Sequence, residues 1–306
     1  MAVERALVYD NGRRINDGLS RMSMTLPQIV ILALLQGFAE LLPVSSSAHV
    51  IVAEKLMGLD PSRPEMTLLL LMLHTGTMFS VLVYFWKGWQ KQYFQTGSQA
   101  WSFAKQVAIA SLATAVLGLG LKHLIEKVFL GGTPKAEVEM LFGNLTLVSI
   151  SLACAGLLIL FAASRESGTG GEKNFDAGSS ICVGLVQGLC LPFRGFSRSG
   201  ATISTGLLIG WAKVKAEDFS FALVLVITPP LLLKEVLRLL KAQALNGLTQ
   251  AQTLSLFVPG IFGMALSFFA GLLALKWLSS WLSHGRWGYF GIYCLAFSGA
   301  VWFFLR

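Results

Sequence analysis

Gln36 and Glu40 stand four residues apart, and a helix carries such a pair on one face, where a carboxylate and an amide oxygen can share a divalent cation. Pro43 ends that helix, and Val44-Ser45-Ser46-Ser47 follows with an N-cap for the next helix and a candidate nucleophile. His49 comes one turn after Ser46, close enough in sequence to exchange a proton with it or with a leaving oxygen. A second cluster, Gly195-Phe196-Ser197-Arg198-Ser199-Gly200-Ala201-Thr202, reads as a glycine-bounded turn entering a helix. Free backbone N–H groups, hydroxyls and a guanidinium would converge there on one oxyanion, and the planar fork of arginine suits phosphate.

The two clusters sit in matching contexts. Leu35 to His49 reads LQGFAELLPVSSSAH and Val186 to Ala201 reads VQGLCLPFRGFSRSGA, each an apolar run with Gln-Gly, a proline and small hydroxyl residues around a charged group. Plainer uses exist for each residue. Glu40 can close a helix at an interface while the serines only cap, and Arg198 can snorkel from a helix-start loop. Arg194 is either a second phosphate contact or an interfacial anchor. His74, in an otherwise apolar run, either walls the site or makes a structural hydrogen bond. A carboxylate and a histidine beside a helix break in an apolar segment favour the functional reading.

The elements that must position these residues are those of a membrane protein. The chain is 54% hydrophobic and 13% charged, with a mean hydropathy of +0.65. Met66 to Trp86, Met140 to Ser164, Thr249 to Leu275 and Trp287 to Leu305 are each long enough to cross a bilayer, which takes roughly 17 to 25 residues. Gln106 to Leu121 and Phe219 to Leu233, the latter with Pro229-Pro230 as an expected kink, complete six spans. Leu26 to Ala39 and Ser179 to Phe193 are too short: as helices rising about 1.5 Å per residue they fall well below the roughly 30 Å hydrocarbon core. Each is followed by a break and a second short apolar piece, Ala48 to Met57 and Gly200 to Ala212, which predicts a re-entrant helical hairpin. Broken backbone at membrane depth belongs where it is buried in protein or lines a wet cavity.

Three spans follow each hairpin, so the halves run in opposite directions through the bilayer. The predicted fold is all-α and polytopic: six transmembrane helices plus two re-entrant hairpins in an inverted-topology repeat, 26–164 against 178–306, with the hairpin tips meeting near the midplane. Residues 1–25 read as a disordered extension and 165–177 as a linker rich in Gly, Ser and charge. Lys87, Lys91 and Lys105, with the basic balance from Arg165 through Lys215, assign those ends to the cytoplasm, although Lys234, Arg238 and Lys241 then fall outside. Cys154, Cys182, Cys190 and Cys294 lack metal-site spacing and read as packing residues. A net charge of +8 points to anionic lipid headgroups and away from nucleic acid, because no basic stripe interleaved with aromatics occurs in a soluble domain.

The strings QGFAELLPVSSSAH and GFSRSGATISTG resemble the two signature regions of the bacterial undecaprenyl-diphosphate phosphatases, the bacitracin-resistance protein family, and the resemblance extends from Leu26 to the C-terminus. Gln36, Glu40, Ser46 and His49 fill the places of the first signature. Ser197, Arg198, Ser199, Gly200 and Thr202 fill those of the second. The resemblance implies an enzyme of the bacterial inner membrane that hydrolyses a polyprenyl diphosphate to the lipid monophosphate and inorganic phosphate. It also implies a Mg²⁺ or Ca²⁺ requirement, a site opening to the periplasm and a role in cell-wall lipid recycling.

On that reading Ser46 attacks the terminal phosphorus, with Glu40 or His49 managing protons, and Ser45, Ser197, Arg198, Ser199, Gly200 and Thr202 hold the phosphates. Gln36 and Glu40 are the expected metal ligands. Direct attack by water stays open, as does association into a homodimer. Two departures from the family pattern stand out: Arg194-Gly195 replaces Pro-Gly ahead of the Ser-Arg-Ser-Gly turn, with the proline displaced to Pro192, and Gln36 replaces the commoner glutamate. A lipid carrier or flippase with the same inverted repeat is the alternative. A lipid phosphatase of the other large membrane class would need a histidine after its Ser-Arg element, and ATISTGLLIGWAK has none.

Overall fold

Pro43 forces Leu42 out of the helical region, to φ −75° and ψ 150°, because a proline ring clashes with a helical residue before it. That one constraint breaks the first apolar run into a hairpin. The computed structural model describes residues 24–59, 64–129, 144–165, 173–245 and 250–305, and among these it is helical with no strand. The first hairpin is α1 (Leu26–Leu41) and α2 (Ser46–Leu56). Then come α3 (Pro64–Tyr93), α4 (Gly97–Leu124, continuing into a π turn over Ile125–Phe129) and α5 (Leu145–Ser164). The second hairpin is α6 (Ala177–Cys190) and α7 (Arg198–Ile209), followed by α8 (Lys213–Leu245), α9 (Gln250–Ser283) and α10 (Trp287–Phe304).

Among the described residues, six helices are long and apolar enough to cross a membrane: Met66–Tyr93, Gly97–Val128, Leu145–Ser164, Lys213–Lys234, Phe257–Ser283 and Trp287–Phe304. They are the six expected spans. Several run past the limits of the uncharged windows, as α4 does on both sides, through Lys105 and Lys122. The helix α8 likewise continues through Pro229 and Pro230. Helices α1 and α6 are apolar but short, as expected. The expected extension over 1–25, apart from its last two residues, lies outside the described residues, as does 166–172 of the linker.

Each hairpin leans on a long helix of the other half. Helix α1 packs on α9, and α6 packs on α4, which is the same partnership with the halves exchanged. Glycines make both approaches close: a Cβ on Gly37 would stand 2.5 Å from Ala270 Cβ, and one on Gly184 2.2 Å from the Ala110 carbonyl oxygen. The halves are also joined by α5 against α10, where Ser149 Oγ lies 3.0 Å from Ser298 Oγ. Where α3 ends and α8 begins, buried Asp218 accepts hydrogen bonds from Trp89 Nε1 (3.1 Å) and Tyr93 Oη (2.9 Å), so its desolvated carboxylate is partnered on both oxygens. Two paired hairpins held by rigid helices leave their turns facing one another.

Candidate active site

Those turns are stitched together. The Gly195 amide donates to Ser47 Oγ at 3.2 Å, and Ser199 Oγ donates to the Leu42 carbonyl at 3.2 Å. Gly195 has φ +99°, and a Cβ there would stand 2.3 Å from the Val148 carbonyl oxygen, so the loop passes α5 only because this residue is glycine. The displaced proline and Arg194 therefore leave the glycine of the turn in use.

Glu40, on the last turn of α1, is the hub. Its Oε1 accepts from Arg198 Nη2 at 2.5 Å. Its Oε2 accepts from Ser46 Oγ at 2.5 Å and from Gln36 Nε2 at 3.2 Å. His74 Nε2, from α3, lies 3.7 Å from the same Oε2. The side chains of Glu40 and Arg198 are 15% and 21% exposed, so the cluster is enclosed yet reachable. A hydroxyl that donates to a carboxylate, beside a guanidinium, is an arrangement able to activate a nucleophile and to bind an anion.

Ser46 starts α2, and Ser45 before it is the N-cap, its Oγ accepting from the Ala48 amide at 3.4 Å. Ser45 has φ +68°, the left-handed side of the map and the one such non-glycine position among the described residues. A residue held there stores strain that surrounding contacts must over-determine, and such positions gather at functional turns. His49 supplies one of those contacts. Its Nδ1 lies 2.8 Å from the Ser45 carbonyl, which can only accept, so the ring proton is on Nδ1 and Nε2 accepts from Tyr293 Oη at 2.7 Å. The ring also stacks on Phe297 with centroids 4.2 Å apart. The expected proton exchange between His49 and Ser46 is not what this geometry offers: both ring nitrogens are engaged elsewhere, and Glu40 is the group that meets the serine.

The second cluster divides in the same way. Arg198 reaches the hub. Ser197 is the N-cap of α7, accepting from the Gly200 amide at 3.2 Å, and Ser199 ties the two turns. Thr202 donates to the Arg198 carbonyl at 2.9 Å and lies 2.6 Å from Ser220 Oγ on α8, so it anchors α7 and points away from the hub. Gly200 is closely packed: a Cβ there would stand 2.9 Å from Ile159 Cδ1 and 3.1 Å from Ser197 Oγ, so the Ile159 side chain would have to shift. Arg194 acts electrostatically on buried Glu54 of α2. Sequence reasoning left His74 open between site wall and structural hydrogen bond, and it is both: Nδ1 donates to the Leu70 carbonyl at 2.7 Å while Nε2 faces Glu40. Tyr293 was missed, because nothing near it in the chain marks it, and Ser47 was named only as one of the serine run.

The chain is thus a polytopic helical membrane protein whose two hairpin turns enclose a carboxylate, a hydroxyl and a guanidinium. It belongs to the family described as bacitracin resistance protein BacA, which matches residues 29–300. It is 57% identical over 280 residues to undecaprenyl-diphosphatase 2 of Acinetobacter baylyi, covering 91% of this chain and 98% of that one. Undecaprenyl-diphosphatases of Bacteroides fragilis and Desulfosudis oleivorans are 32% and 31% identical, over 278 residues (87% of this chain, 93% of the relative) and 298 residues (91% and 98%).

Proposed function

We propose that this protein hydrolyses undecaprenyl diphosphate to undecaprenyl phosphate and inorganic phosphate, within a bacterial inner membrane and with its site open to the periplasm, and so recycles the lipid carrier of cell-wall synthesis. The observation that carries the reading is the convergence of Ser46 and Arg198 on the two oxygens of Glu40. Helices α1–α2 and α6–α7 are read as re-entrant, entering and leaving on one side each, because α1 and α6 are too short to cross. The prenyl tail then lies between helices in the apolar layer, where each buried methylene contributes about 0.8 kcal/mol.

The chemistry follows from the hub. Arg198 has five N–H donors, of which one bond goes to Glu40, and the others are available to the phosphoryl oxygens. The Ser46 hydroxyl passes its proton to Glu40 Oε2 as its oxygen bonds to the terminal phosphorus, and the anhydride P–O bond breaks to release the lipid monophosphate. Water then cleaves the phosphoserine, giving inorganic phosphate and restoring the serine. His49 holds the strained Ser45 turn through the backbone and so aims Ser46.

A divalent cation fits these residues in one way. Among the described residues no three histidine, cysteine, aspartate or glutamate side chains cluster as ligands. Glu40 and the Gln36 amide beside it would hold the ion, a sparse set that would leave the rest of its coordination to other oxygens. Held by Glu40 and Gln36, such a cation would supply positive charge beside the transferring phosphoryl group.

Phosphate release from a C55 diphosphate by detergent-purified protein tests the reading. Turnover supports it, and binding without any phosphate release would mark a carrier.

A further inference from the structure

His74 is placed as a metal ligand is placed. The Leu70 carbonyl accepts from its Nδ1 at 2.7 Å, which fixes the tautomer and leaves the Nε2 lone pair facing outward. Ligating histidines are oriented by this kind of second contact. Nε2 looks at Glu40 Oε2 across 3.7 Å, too long for a hydrogen bond. Two donors each about 2.1 Å from one ion lie at most about 4.2 Å apart, and this separation falls inside that limit. Gln36, at 3.2 Å from the same oxygen, falls inside it too. The two ends of an amide have nearly the same shape, so a half-turn of the Gln36 side-chain amide replaces its donor nitrogen by a ligating oxygen. Arg198 occupies Glu40 Oε1, and Oε2, which also accepts from Ser46 Oγ at 2.5 Å, is the oxygen that faces His74 on α3. The His74 side chain is 35% exposed, so an ion can reach the gap.

We infer that His74 Nε2 is a third protein donor to the divalent cation, completing a mixed set with Glu40 Oε2 and the Gln36 amide oxygen. The inference rests on the reading that a cation sits at Gln36 and Glu40. Its chemical consequence concerns which ion is held. Carboxylate and amide oxygens alone suit Mg²⁺ and Ca²⁺, whereas an imidazole nitrogen shifts preference toward the later first-row ions. With Gln36 in place of a glutamate the site has also lost one negative charge, and a nitrogen donor restores affinity without restoring that charge. The site is therefore one for Co²⁺ or Zn²⁺ ahead of Ca²⁺.

The test uses chelator-stripped, detergent-purified full-length protein without substrate. Co²⁺ and Ca²⁺ are titrated by calorimetry, and Mn²⁺-loaded protein is examined by pulsed electron paramagnetic resonance for a directly bound nitrogen. Co²⁺ is expected to bind at least tenfold tighter than Ca²⁺, and the manganese signal to carry a nitrogen coupling that changes on ¹⁵N-histidine labelling. His74→Gln should abolish the coupling and the Co²⁺ preference while altering Ca²⁺ affinity by less than about threefold. Absence of a histidine coupling in the unmutated protein overturns the inference, and that measurement does not depend on a variant folding. An unchanged Co²⁺ affinity in a monodisperse His74→Gln preparation also overturns it, and leaves His74 as an ion-pair partner of Glu40. Phosphate release from the C55 diphosphate, measured separately, distinguishes the two readings: turnover without a histidine-bound ion sinks only the ligand assignment, and a histidine-bound ion without turnover sinks only the phosphatase.

Discussion

Arg198 Nη2 and Glu40 Oε1 meet at 2.5 Å although 158 residues separate them, so the guanidinium of one half is positioned by the carboxylate of the other. Neither residue can be displaced without the other losing its partner. Removing Glu40 would leave Arg198 an enclosed guanidinium free to grip phosphate in an unproductive pose, and removing Arg198 would leave a carboxylate facing an incoming anion.

Arg198→Ala is accordingly expected to reduce turnover by at least about a hundredfold in a folded protein, the usual cost of losing a positioned charge at a phosphoryl group. Arg198→Lys should recover little, because an ammonium cannot span Glu40 and two phosphate oxygens at once. Steady-state phosphate release decides it, and near-normal turnover in either variant removes Arg198 from the clamp.

The three serines should separate. Ser46→Ala loses the hydroxyl on Glu40 and should fall at least about a hundredfold. Ser47→Ala loses a bond from the Gly195 amide worth about 0.5–1.5 kcal/mol and should lower stability more than turnover. Ser45→Gly should outperform Ser45→Ala, since glycine accepts φ +68° and costs less at an N-cap. Rapid quenching with terminal-phosphate-labelled substrate should trap label on Ser46. Normal turnover in Ser46→Ala would point to attack by water.

Chelation is expected to abolish activity and a divalent cation to restore it, with Glu40→Gln inactive at every metal concentration because base and ligand are lost together. Gln36→Glu should stay active and need less metal. Full activity after exhaustive chelation excludes the cation.

Tyr293→Phe removes the partner of His49 Nε2 but leaves the Nδ1 bond to the Ser45 carbonyl, so a loss of about three- to tenfold in kcat with little change in KM is expected. His49→Ala releases the Ser45 turn and should lose at least ten times more. Equal losses would show that the tyrosine contact, not the turn, is what matters.

Gly37→Ala places a Cβ 2.5 Å from Ala270 and should push α1 off α9, at about 1–3 kcal/mol. Gly88→Ala, where a Cβ meets nothing within 4 Å, is the control and should be neutral or slightly stabilising. Thermal unfolding in detergent gives the comparison, and matched melting temperatures refute the close approach.

The spans and the two broken hairpins were legible in the sequence because local rules suffice for them: hydropathy sets which helices can cross, and Pro43 dictates that Leu42 leaves the helix whatever surrounds it. The pairing of Gln36 with Glu40 was legible for the same reason, since helical periodicity places residues four apart on one face. The roles of His49, Thr202 and His74 were not. His49 and Ser46 are neighbours along the chain, but the ring turns to Tyr293 on α10, 244 residues away, and its place beside the serine is taken by Glu40. Thr202 stands in the signature, yet its hydroxyl is claimed by Ser220. Which group faces the hub depends on how α2, α3 and α7 are rotated about their axes. That rotation is fixed by close packing against helices from the other half, a long-range constraint to which no local pattern has access.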